Sequence, residues 1–351
     1  MGSTKISLLN DYNSVAHPSI LEVLQTHLGE KFEGYSTDHQ VEEAKAALLE
    51  LFKNPKAEAH LIPAGTLTNL IACSAFLRPH EAVVAPFTAH VSMHETGAIE
   101  ATGHKVFTQE SKDGKLRPED IVETIKFHTD EHMIKPRMAY ISQTTEFGGV
   151  YTRKELEALR EVCDENDMLL YIDGARLAYA LSSDRCDFEL PLIAELADAF
   201  YLGGTKNGLL FGEALIICNP DLQEDFRFII KQRGGLLAKG FLLGIQFKAL
   251  LEDDLYLKLA AAANVTAARL SLSLQSLGYR LEIPTESNQV FPIVNNDELL
   301  WLHDNIDFEQ WHRLDAERIS IRFVTTWETT EDDIQAVLDL MSESLGRSAR
   351  L

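Results

Sequence analysis

Between Ala59 and Gly203 the chain repeatedly sets a short, nearly unbroken apolar run beside a longer stretch with helical spacing. AHLIPAG (Ala59 to Gly65) leads into TLTNLIACSAFL, and EAVVAP follows near Val83. MAYIS (Met138 to Ser142) precedes RKELEALREVCDEN, and MLLYIDGA and DAFYLGG end near Asp173 and Gly203. Strands with one solvated face alternate polar and apolar residues, whereas strands covered by helices on both faces do not. The pattern therefore predicts an α/β unit with a mainly parallel sheet. From Lys248 the texture changes. An alanine-rich helical pattern reaches Leu277, and YRLEI, NQVFPIV and RISIRFVT read as strands before a final helix near Glu331 to Leu345. The expected division is a large domain over 1–247 and a smaller C-terminal α+β domain over 248–351.

The formal net charge of −22 argues against nucleic acid as a partner, because phosphate backbones are bound through an excess of Lys and Arg. Apolar stretches such as Leu70 to Leu77 fall well short of the roughly 20 residues of a membrane span. The first residues show no basic, apolar and small-residue series of a secretory leader. Cys73, Cys163, Cys186 and Cys218 are widely spaced and form no CxxC pair. The expectation is a cytoplasmic protein with reduced cysteines and no membrane association.

Parallel sheets gather ligands at the carboxyl ends of their strands. Gly65, Asp173 and Lys206 each follow a predicted strand, so one site can hold all three. Lys206 lies in GGTKNG, which is neither a P-loop nor a dinucleotide fingerprint. Such a lysine is either a solvated turn residue or a Schiff-base lysine at a strand end. Asp173 in YIDGARLAYA is either a helix N-cap or an anion facing a cofactor nitrogen. PAGTLTN is either a capped turn or a phosphate cup at a helix N-terminus. Pyridoxal 5′-phosphate demands a lysine, an anion and a cup together, and the chain offers all three in strand-end positions. HTDEH (His128 to His132) also fits the inverted zinc-protease pattern HxxEH, but a polar helical run and a surface-like connection flank it. No metal is expected.

YIDGARLAYA with its downstream lysine turn, PAGTLTN, and AHVSMHETGAI resemble the threonine aldolase and β-eliminating lyase family, from Asn10 near the N-terminus to Arg322. These are fold-type-I pyridoxal phosphate enzymes of aspartate aminotransferase-like architecture. The resemblance implies that Lys206 holds the cofactor covalently, Asp173 pairs with its ring nitrogen and His90 stacks on the ring. Gly65, Thr66 and Thr205 would bind its phosphate. Arg176 and Arg322 would serve the phenolic oxygen and the substrate carboxylate, with Asn10 assisting from an N-terminal segment, 1–16, packed at the site. Tyr35 would reach the site of a neighbouring subunit in a homodimer or homotetramer. Two segments depart from the commoner family form: SQTTEFGG (Ser142 to Gly149) stands for ENTHN, and GGTKNG for SKGLGAP.

The activity implied is retro-aldol cleavage of a small amino-acid substrate, L-threonine or L-allo-threonine, to glycine and an aldehyde. Lys206, His90 and Asp173 would be catalytic. The alternatives are β-elimination from a Cβ-substituted amino acid, a pyridoxal-phosphate- or partner-binding protein without turnover, and, remotely, a zinc hydrolase using His128 and His132.

Overall fold

The apolar runs become strands buried on both faces. The structure is a computed structural model that describes residues 5–348. Seven strands form the central sheet: β1 (Glu58–Ile62), β2 (Glu81–Pro86), β3 (Lys105–Gln109), β4 (Lys135–Ser142), β5 (Leu169–Asp173), β6 (Ala199–Gly203) and β7 (Glu213–Ile217). Their order is β1-β7-β6-β5-β4-β2-β3. Alternate residues of one strand serve opposite faces: Ala139 and Ile141 join one apolar cluster, Met138 and Tyr140 the other. Burial on both sides removes the need for polar alternation, as the sequence predicted.

Pairing is parallel across β3, β2, β4, β5 and β6, but β7 runs antiparallel to both β6 and β1. This reversal matters for the site. The carboxyl ends of β1, β4, β5 and β6 share one edge of the sheet, and the antiparallel β7 begins at that same edge. Gly65, Ser142, Asp173, the turn carrying Lys206, and Glu213 are thereby brought to one rim.

Residues 247 and 248 fall inside a helix, α2 (Phe241–Leu251), which packs on the helix His39–Phe52. The next helix, α3 (Leu255–Leu277), changes partners along its length. Leu259, Ala260 and Ala263 pack with the central sheet, while Ala267, Leu270 and Leu274 join a separate C-terminal core. That core backs a small antiparallel sheet of β8 (Gln289–Val290), β9 (Ile293–Asn295), β10 (Glu309–Arg313) and β11 (Arg318–Val324). YRLEI is a correction: only Leu281 makes a bridge, to Pro292, and the segment is not a strand. Pro292 also splits NQVFPIV in two, because it has no N–H for a continuous ladder.

The N-terminal segment is tied down by the C-terminal unit. Ile6–Ser7 pairs in parallel with Ile306–Asp307, and Val324 donates its N–H to the carbonyl of Leu8 at 2.9 Å. This clamp leads the chain to Asp11 at the sheet edge; residues 1–4 of the expected 1–16 segment lie outside the described residues.

Candidate active site

A cavity of about 370 Å³ opens on the shared rim, lined by Gly65, Thr66, His90, Asp173, Arg176, Thr205, Lys206 and Glu213 among others. Two glycines allow the loops to close this tightly. A Cβ on Gly174 would stand 1.7 Å from the carbonyl oxygen of Tyr201, and one on Gly203 would stand 2.4 Å from that of Ala175. The DGA turn after β5 and the lysine turn after β6 therefore pack backbone to backbone, which sets Asp173 beside Lys206.

Asp173 is buried with both oxygens occupied. Tyr201 donates its hydroxyl to Oδ1 at 2.6 Å and the Ala175 N–H donates to the same oxygen at 3.0 Å. Tyr140 donates to Oδ2 at 2.5 Å and Asn69 to Oδ2 at 3.0 Å. Burial alone raises the carboxyl's pKa, but the charge of His90 and the hydroxyls of Tyr140 and Tyr201 outweigh it and hold Asp173 below the ordinary range. It is an anion at neutral pH. Asn69 also donates to Glu95 at 2.8 Å, and Glu95 faces His90 Nδ1 at 2.8 Å, so one polar chain links His90 to Asp173. Because Nδ1 is engaged, Nε2 is the nitrogen that His90 has free for chemistry.

Lys206 is half-buried, and its Nζ makes no hydrogen bond or salt bridge among the described residues. Burial, with the positive charge of Arg176, lowers its pKa against the pull of Asp11, Asp173 and Glu213. An amine with these surroundings is a ready nucleophile. Opposite it begins α1 (Gly65–Phe76). Its N-cap, Ala64, has no side chain to cap the first turn, so amides there are open toward the cavity. Thr68 is not part of the cup, since its hydroxyl bonds back to Ala64 O at 2.9 Å.

The donor set fits pyridoxal 5′-phosphate: an uncommitted lysine, a buried carboxylate held ionised and an uncapped helix N-terminus surround one cavity of cofactor size.

The other expected residues divide. Arg176 lines the cavity and gives Nε and Nη2 to Asp11 at 2.7 and 2.9 Å. The charges of Arg176 and Lys206, with hydrogen bonds from Arg176 and Asn288, draw Asp11 down to about 2 against its burial. Asn10 is only half-buried and does not line the cavity; its Oδ1 accepts the N–H of Tyr12 at 3.0 Å. Arg322 sits in the C-terminal unit, bonded to Glu309 and, at 3.2 Å, to Gln289, with its guanidinium 4.8 Å from the Trp311 ring centre. Tyr35 is 45% exposed and lies away from this cavity, its ring 4.2 Å from Lys231 Nζ. His128 bonds to Thr124 O at 2.8 Å and packs on Phe107, while His132 is exposed. His94 turns toward Trp311.

Sequence reasoning missed Asp11, Tyr140, Tyr201, Glu146 and Glu213. Glu146 alone had a readable signal: it is an isolated acid in the otherwise uncharged strand-end segment TTEFGG.

The family described as "Beta-eliminating lyase" matches residues 18–297. A low specificity L-threonine aldolase from a Pseudomonas species is 36% identical over 285 residues, which cover 78% of this chain and 81% of that one. The solved structure of a Leishmania major threonine aldolase superposes with a TM-score of 0.94 at 45% identity, covering 96% of this chain and 98% of that one. A Sphingomonas wittichii serine palmitoyltransferase shares the fold, with a TM-score of 0.74 at 14% identity over 99% and 88% of the two chains. With that match over most of its length, and with a cavity whose donors suit the cofactor, the chain belongs to the beta-eliminating lyase family of fold-type-I pyridoxal phosphate enzymes.

Proposed function

We propose that this chain cleaves L-threonine and L-allo-threonine to glycine and acetaldehyde. The observation that carries the reading is the convergence of Lys206, Asp173 and the open end of α1 on one cavity, in a chain 36% identical to a low specificity L-threonine aldolase. Lys206 would hold the cofactor's aldehyde carbon, Asp173 its ring nitrogen and His90 its ring face. Gly65, Thr66 and Thr205 would hold its phosphate. When bound, pyridoxal phosphate supplies an electron-withdrawing ring that takes up the electron pair left on the substrate's Cα.

The chain's own groups then have distinct tasks. Asp173 stays ionised and so would favour a positive charge on the ring nitrogen of a bound cofactor. Asp11 occupies one edge of the Arg176 guanidinium, leaving Nη1 for the substrate carboxylate. Arg322, close enough to feel the charge of Arg176, and Asn10 would complete that grip. His90 Nε2 would take the β-hydroxyl proton, directly or through a water, as the Cα–Cβ bond breaks and the aldehyde carbonyl forms. Protonation of Cα then yields glycine.

The test is product analysis on the purified protein. Supplied with the cofactor, it should release glycine and aldehyde from L-threonine and L-allo-threonine, and no keto acid from L-serine or S-alkyl cysteines. Keto acid with ammonia would instead establish β-elimination. Lys206→Ala should lose the protein's visible absorption band, and a wild-type protein without such a band in added cofactor would sink the proposal.

We place the enzyme in the cytoplasm, which its four free cysteines suit. We take it as at least a homodimer, with the exposed Tyr35 meeting a second copy's site. A monomer in sedimentation at assay concentration would overturn the assembly.

A further inference from the structure

The cavity holds two buried acids that the reaction above does not use, Glu146 and Glu213, and Glu213 is the one beside the proposed phosphate cup. Glu213 opens β7, on the rim shared by the first turn of α1 and the Lys206 turn. Its Oε2 accepts the Gly204 N–H at 3.0 Å. Thr205 Oγ1 already accepts the Gly212 N–H at 2.9 Å, so its own proton is free to go to the Glu213 carboxylate. Oε1 lies on the other side, 4.0 Å from where a Cβ on Gly65 would stand. A carboxyl group thus shares walls with Gly65 and Thr205, two of the three residues proposed for phosphate. An ionised carboxylate and a phosphate dianion so placed repel strongly in a site with little water to screen them.

Titratable groups from four neighbouring segments act on Glu213, while β1 and the first turn of α1 bring none. They are Lys206 in the turn, Asp173 and Tyr171 on β5, Tyr201 on β6 and Tyr256 on α3. Lys206 favours the ionised form of Glu213 and Asp173 opposes it. The three tyrosines are pushed well up by burial and stay neutral. Burial raises Glu213 to about 7 against the help of Thr205, Gly204 and Lys206.

We propose that Glu213 is a cofactor-binding acid that is neutral whenever a dianion occupies the cup, so that anion binding takes up one proton onto its carboxyl group. The neutral form can also donate its O–H to the bound anion. The inference rests on the cup assigned above to Gly65, Thr66 and Thr205. Its sign is fixed by linkage. Below about pH 7 the carboxyl is already protonated and affinity is flat. Above that pH a proton must be acquired on binding, and affinity falls by up to about tenfold per pH unit.

Sulfate is the suitable probe, because it remains a dianion throughout and has no aldehyde for Lys206. Its affinity for the cofactor-free full chain is measured by titration from pH 6 to 9, with and without saturating pyridoxine 5′-phosphate. Wild type should lose about tenfold between pH 7.5 and 8.5, while Glu213→Gln should bind evenly across the range and more tightly than wild type above pH 8. A flat wild-type profile overturns the proposal. So does an undiminished fall in Glu213→Gln, which would assign the proton to Lys206. Sulfate binding that pyridoxine 5′-phosphate does not displace would sink the cup itself, a separate failure. Should Glu213→Gln not fold, proton uptake on sulfate binding by Lys206→Ala at pH 9, well above the pKa of about 7, decides: close to one proton supports Glu213, and none overturns it.

Discussion

Asp173 and Glu213 stand two strands apart on the same rim, and each is only 4% exposed. One is held below the ordinary carboxyl range and the other is raised to about 7. Burial cannot explain the difference, since it raises both. The neighbours do. Asp173 receives two tyrosine hydroxyls, a side-chain amide and a backbone amide, and lies within the field of His90. Glu213 receives one hydroxyl and one backbone amide and relies on Lys206, a cation of lowered pKa. A site can therefore keep a fixed anion at one wall and a titrating acid at another by the number of donors it supplies.

Removing the fixed charge should have the largest effect. Asp173→Asn keeps the shape but cannot carry the anion that the ring nitrogen needs. Turnover should fall about 10²–10³-fold, the cost typical of losing one preorganised electrostatic partner. The absorption band of the bound cofactor should remain, since Lys206 is untouched. Turnover near wild type would mean that the two carboxyl groups do not differ in role, and the contrast would collapse.

Stripping one donor moves Asp173 toward the situation of Glu213. Tyr140→Phe deletes the 2.5 Å hydroxyl to Oδ2 and leaves Asn69, Tyr201 and Ala175 in place. A hydrogen bond to a charged group contributes about 1.5–3 kcal/mol, so denaturant unfolding of the cofactor-free protein at pH 7 should show a loss of that size. The pH dependence has a defined sign. Asp173 has a depressed native pKa, so its contribution is present above the unfolded carboxyl's pKa of about 4 and is lost as pH falls through the native value. The deficit of Tyr140→Phe should accordingly shrink toward acid pH. A deficit that stays unchanged once the pH has fallen below the native value of Asp173 would show that the hydroxyl acts through packing alone.

The same contrast marks what could be read from sequence. Lys206, Asp173 and Gly65 were legible because each follows an apolar run, and a parallel sheet sends such positions to one edge. Tyr140 and Tyr201 were not, because inside MAYIS and DAFYLGG they count as apolar strand residues and their hydroxyls leave no mark on the pattern. Glu213 was hidden by topology: only the antiparallel course of β7 brings its first residue to the rim, and no periodicity distinguishes that course from a parallel one. Asp11 was passed over for its neighbour Asn10. The two share a bend in which Asn10 turns back to the Tyr12 N–H, and the clamp on Leu8 that holds this segment beside Arg176 comes from β11, more than 300 residues away.

The smallest expected effect tests the titrating wall. Thr205 supplies a proton to Glu213 while accepting the Gly212 N–H, so Thr205→Val removes one of the few groups that favour the ionised carboxylate. Its loss should raise Glu213 further, by up to about one pKa unit if the bond contributes about 1.4 kcal/mol. The decline of sulfate affinity in Thr205→Val should begin at higher pH than in wild type. Thr205→Ser keeps the hydroxyl and should leave the onset where it was. The onset is the informative quantity, because loss of a mere anion contact would scale affinity without moving it. An onset that stays put in Thr205→Val would mean that Lys206 and burial alone set the protonation of Glu213. A shift to lower pH would contradict the hydrogen bond's direction, and with it the donor-counting explanation of why Asp173 and Glu213 differ.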